Sequence, residues 1–115
     1  MKHSRFNLVR TLRLRSAMTT DELARLLGQR SGTAISQFEA GDRVPTLRGA
    51  LALQVVFGLN PHEMFPALFS EVEEAAMRRA HEQYEALDGK PGRRAETKRA
   101  LFEEMARRDP NHRAA

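Results

Sequence analysis

The chain has 115 residues, 41% of them hydrophobic, enough for one small core and too few for two autonomous ones. It has no cysteine, and His3, His62, His81 and His112 are scattered, which excludes disulfide staples and thiolate ligation and leaves no helical histidine pair for a metal. The formal net charge of +4 is uneven: through Pro66 nine Lys and Arg face five acids, while from Ala67 onward ten bases meet ten acids, so a polyanion would meet the first half and the balanced second half suits helices that pair with one another.

The opening MKHSRFNLVR lacks the apolar core of a signal peptide, and no apolar run approaches the ~18 residues that cross a bilayer. No membrane partner and a cytoplasmic location are therefore expected. Leu8, Val9, Leu12 and Met18 give a first helical stripe. Thr19-Thr20-Asp21-Glu22 reads as a capping box that starts a second helix, with Leu23, Ala24, Leu26 and Leu27 turned inward and Gly28 ending it. A third short helix is predicted from about Gly32 to Ala40, capped by Ser31, buried through Ile35 and Phe38, and stopped by Gly41.

Thr46 caps a fourth helix whose Leu47, Ala50, Leu51, Leu53, Val55 and Val56 are apolar nearly all round, as for a segment at the centre of a bundle. Gly58 ends it. Asn60-Pro61-His62-Glu63 repeats the start grammar, and Met64 and Phe65 close the core. Beyond Pro66 one long amphipathic stretch carries Phe69, Val72, Ala76, Ala80, Tyr84 and Leu87 on a single stripe. Gly89-Lys90-Pro91-Gly92 breaks it, and a last helix from about Arg94 to Arg108 offers Leu101, Phe102 and Met105. The expected organisation is an all-α domain over residues 1–66, a helical extension over 67–108, and a mobile tail over 109–115.

Two short helices joined by a tight, glycine-bearing turn are the ingredients of a helix-turn-helix. The run from Val9 to Phe65 resembles the helix-turn-helix domain of the Cro and phage-repressor family, also called the xenobiotic-response-element family. Arg10, Leu12 and Arg13, then MTTDELARLLG, AISQFEAG, Pro45-Thr46-Leu47 and FGLNPHEMF carry the resemblance in order. It implies a five-helix, lambda-repressor-like fold in which the helix beginning at Gly32 enters the major groove of double-stranded DNA. Arg30, Gly32, Thr33, Ser36 and Gln37 would then face bases. Thr20, Ser31, Arg43 and Arg48 would touch phosphates, the two arginines on the far side of that helix, and Arg13 and Glu39 would form an internal ion pair. The residue chemistry agrees, because glutamine can bond adenine through two groups and threonine offers a hydroxyl and a methyl to thymine. A merely solvated polar flank is the competing reading of Thr33, Ser36 and Gln37.

These implications point to a sequence-specific transcriptional regulator, a repressor acting on the nucleoid as a homodimer through residues 67–108. Those helices could instead fold back on their own domain. The rival function is an antitoxin or adaptor whose C-terminal helices grip a partner protein while DNA binding serves autoregulation. RNA binding is disfavoured by the lack of aromatic residues near Arg30 and Gln37. With no clustered nucleophile, base and orienting acid, and no phosphate-cradling glycine loop, neither an enzyme nor a cofactor is expected.

Overall fold

Local signals cut the chain into short helices. In the computed structural model, which describes residues 6–109, these are α1 (Val9–Arg15), α2 (Thr20–Leu26), α3 (Thr33–Ala40), α4 (Leu47–Phe57), α5 (Pro61–Met64), α6 (Pro66–Ala86) and α7 (Arg93–Arg108), with no strand among the described residues. The architecture is all-α. The tail expected to be mobile lies outside the described residues from position 110 on.

The caps follow the sequence closely. Glu22 N–H donates to the Thr19 hydroxyl at 3.0 Å and Thr19 N–H to the Glu22 carboxylate at 2.8 Å, satisfying two amides that the start of α2 leaves open. The Thr46 hydroxyl accepts from Gly49 N–H at 3.1 Å to start α4. At the end of α3 the chain must turn left-handed, and Gly41 does so at φ +77°. Its N–H donates to the Phe38 carbonyl and that of Asp42 to the Gln37 carbonyl, each at 3.0 Å, which closes the orphaned end of the helix.

Two compact units result, dividing between Glu71 and Val72 inside α6. In the first, Val9, Leu23, Ile35, Leu53 and Met64 are wholly removed from solvent, with Ala24, Phe38 and Phe65 beside them. Leu68, in the first turn of α6, still packs against this core. Asn7 links the start of α1 to the middle of the core: its amide donates to the Phe38 carbonyl at 2.8 Å, and its oxygen accepts from Val9 N–H. Leu8 N–H reaches the Met64 carbonyl at 2.8 Å, so the chain start is tied to α5 as well.

One expectation does not hold. Although α4 is apolar nearly all round, only Gly49 and Leu53 are buried in it, while Leu47, Leu51 and Val55 are exposed, the last at 84%. They recur every four residues, so they share one outward face, and Val44 just before the helix is exposed too. A composition without phase gave no way to choose which side of α4 the core would take.

In the second unit the later turns of α6 and all of α7 form a hairpin across residues 87–92. The Tyr84 phenol donates to Glu103 at 2.8 Å, and this bond to a carboxylate is the main reason its pKa is held above the ordinary value. Arg99 donates to the carbonyls of Leu87 and Lys90 and so closes the turn. Ala80 and Ala95 are buried here, whereas Val72 and Leu101 remain more than half exposed.

Arg13 of α1 and Glu39 of α3 pair through two bonds of 2.6 and 3.1 Å, their side chains only 11% and 9% exposed. Substitution of Glu39 by Ala strips a nearly buried cation of its carboxylate and leaves it the bond to the Met18 carbonyl, and should lower the unfolding free energy by about 2–3 kcal/mol. Urea denaturation measures this; a loss below about 0.5 kcal/mol, the worth of a surface pair, would show that the pair does not brace α3.

Candidate nucleic-acid interface

A helix of eight residues is too short to persist alone in water, so what α3 presents depends on what holds it. Its inward side is Ala34, Ile35 and Phe38, all buried. Its outward side is Thr33, Ser36, Gln37 and Ala40, all exposed. Positions one turn apart share a face, so three uncovered hydrogen-bonding side chains stand in one row over a core-anchored back. Glu39 at the edge of that row turns to Arg13 and is held there. Donation to Glu39 keeps the Arg13 guanidinium pKa above its ordinary value despite burial, so Arg13 remains a cation throughout the working pH range.

The start of α3 is held by a residue that sequence reasoning passed over. Asp21, in the first turn of α2, accepts from Gly32 N–H at 2.7 Å. A carboxylate at that point also favours the positive end of the α3 dipole. In the sequence Asp21 stands within the Thr19–Glu22 capping-box run, and nothing in a spacing of eleven residues marks it as a second helix's anchor.

Gly32 itself requires correction. It was expected among the base-facing residues, but it is buried where α3 crosses the start of α2. A side chain there would place Cβ 2.7 Å from Thr20 Cβ and 2.8 Å from Asp21 Oδ1, with the Thr20 hydroxyl closer still. Glycine is needed at this crossing because the two helices meet backbone to side chain. The helix proper therefore starts one residue later than expected, at Thr33, whose N–H reaches the Ser31 hydroxyl at 3.4 Å. Thr20, half-buried, faces this same crossing.

The remaining site residues fall into two groups. Arg30, Ser31 and Thr33 line an open groove of about 410 Å³ together with Arg43. Two cations and no acid border it. Arg43 had been expected on the far side of α3, yet its guanidinium lies 6.0 Å above the Phe38 ring and donates to the Gln37 side-chain oxygen at 3.3 Å. The left-handed turn at Gly41 sends the chain back along α3 and carries Arg43 with it. Arg48 is separate from this group, exposed in the first turn of α4. Among the described residues no group of three or more His, Asp and Glu could hold a metal ion, and no helix is long and apolar enough to cross a membrane.

The order of elements and the exposed row on α3 meet an independent finding. A family model described as a helix-turn-helix domain matches residues 7–68. The chain belongs to that family. It is a Cro/XRE-like family, and its module suggests a DNA-binding regulator. No curated protein and no solved structure matches the chain.

The α2–α3 crossing of this helix-turn-helix can be tested directly. Gly32→Ala should destabilise the domain by about 1–3 kcal/mol, because Thr20 Cβ and the Asp21 carboxylate cannot both withdraw without moving a helix. Unchanged urea and thermal midpoints would show the crossing to be slack.

Proposed function

We propose that this helix-turn-helix protein is a sequence-specific transcriptional repressor that binds operator DNA as a homodimer in the cytoplasm. One observation carries the reading: Thr33, Ser36 and Gln37 form an uncovered polar row on a short helix whose opposite face is locked into the core. A row of that kind, on a helix narrow enough for the major groove, supplies the directional donors and acceptors that base edges answer. Arg30, Thr33, Ser36 and Gln37 are assigned to the bases. Ser31, Thr20 and Arg48 flank them and suit phosphates, which set register and orientation without reading sequence.

The dimer rests on the second unit. Between α6 and α7 lies a cleft of about 450 Å³, walled mainly by Met77, Ala80, Tyr84, Phe102 and Ala106. Val72 and Leu101 add exposed apolar surface to the same unit. From Ala67 onward bases and acids are equal in number, so a second copy of the hairpin would meet it without net repulsion. Two modules joined in this way read two half-sites one DNA turn, or a multiple of it, apart.

Two measurements test the proposal. Gln37→Ala should relax base choice at one position per half-site, at a loss of about 1–3 kcal/mol of discrimination, whereas Arg48→Ala should weaken binding to every sequence alike and lower the salt slope by about one. Equal losses on operator and random duplex for both variants would contradict the assignment. In sedimentation at micromolar concentration the intact chain should run as a dimer and Leu101→Asp as a monomer. A monomeric wild type, or a dimer indifferent to Leu101→Asp, would remove the hairpin from the interface.

A further inference from the structure

We infer that Arg43 decides which base Gln37 reads, turning a residue suited to adenine into a reader of guanine. The inference rests on the DNA-binding reading of α3 and deepens it. A free glutamine amide matches adenine because it has one acceptor and one donor side by side, which meet the N6 amino group and N7. In this protein the acceptor is already engaged. The Arg43 guanidinium donates to the Gln37 oxygen at 3.3 Å, a cation set against the one acceptor of the amide.

This contact also fixes which way the amide points. Guanidinium has donors and no acceptor, so the amide nitrogen cannot replace the oxygen opposite Arg43 without setting donor against donor. The nitrogen of Gln37 is therefore turned away from Arg43. Arg43 has its own support, since its guanidinium lies 6.0 Å over the face of Phe38, a ring only 3% exposed and so fixed by the core. Loop residue and helix residue together present donors: the Gln37 amide N–H groups and the remaining guanidinium N–H groups.

A donor-only pair distinguishes the purines sharply. Guanine shows two acceptors, N7 and O6, in the major groove, while adenine shows N7 beside an amino group. The oxygen of Gln37 keeps a second lone pair, but an adenine amino group approaching it would come up against a cation whose hydrogens point the same way. Guanine O6 at that place is attracted. The specificity of the site thus comes from a side chain on the loop after α3, reached through Gly41, as well as from α3 itself.

Selection of preferred duplexes from a random pool tests this, with the intact wild-type, Gln37→Ala and Arg43→Ala chains. Arg43 is exposed, and unchanged circular dichroism should confirm that its loss leaves the fold intact. The position at which Gln37→Ala loses its preference identifies the base Gln37 meets. In the wild type that base should be guanine. In Arg43→Ala the same position should turn to adenine, with the guanine-to-adenine ratio falling by about tenfold or more. Adenine in the wild type overturns the inference while leaving the DNA reading in place, as does guanine persisting without Arg43. A position left without preference in Arg43→Ala shows Arg43 reading the base itself and likewise overturns it. If no motif is enriched by the wild type, the DNA reading fails and this inference with it.

Discussion

The protein depends on holding eight residues of helix rigid while leaving one side of them bare. α3 lacks the length to be stable by its own hydrogen bonds, and an outward row of Thr33, Ser36 and Gln37 contributes nothing to packing. The order must come from three other directions. Ile35 and Phe38 bury against the core, each contributing about 1.5–3 kcal/mol by removal from water. Asp21 holds the first turn through Gly32, and Arg13 holds the last turn through Glu39. This bracing from α1 and α2 holds both ends of α3 and with them the orientation of its exposed row.

The bracing also explains the use of charge. Arg13, an arginine on the basic half, is withdrawn from any polyanion by its two bonds to Glu39. Asp21, an acid close to the exposed row, is turned onto the Gly32 amide. Both of these charges are thereby engaged by the scaffold, and the groove beside α3 is bordered by Arg30 and Arg43 with no acid along its wall.

Much of this was legible in the sequence wherever the cause was local. The Thr19–Glu22 capping box, the stops at Gly41 and Gly58 and the caps at Thr46 and Asn60 each depend on residues within a few positions of one another. The pairing of Arg13 with Glu39, by contrast, came from the family resemblance, since no spacing rule connects positions 26 apart. What could not be read was geometry made by two elements meeting. Gly32 looks like a missing side chain on a reading face until Thr20 is placed against it. Arg43 reads in the sequence as a residue beyond α3, and only the turn at Gly41 places it over Phe38 and beside Gln37. In α4 apolar residues on every side conceal the phase, and the outward row Leu47, Leu51 and Val55 emerges only when Leu53 has taken the core.

The two units answer to different physical demands. In the first, Asn7, Arg13, Asp21 and Glu39 each bond to a named partner around α3, while Thr33 and Ser36 stay exposed. The hairpin beyond Val72 is held instead by a few polar links, Tyr84 to Glu103 and Arg99 to two carbonyls, around an open, largely apolar cleft. Exposed links of this kind contribute little to stability, and two helices that bury only small residues such as Ala80 and Ala95 leave much apolar area still to be removed from water. The gain from covering that area would be non-directional and scale with surface, whereas the bonds that brace α3 are directional and tie named atoms to one another.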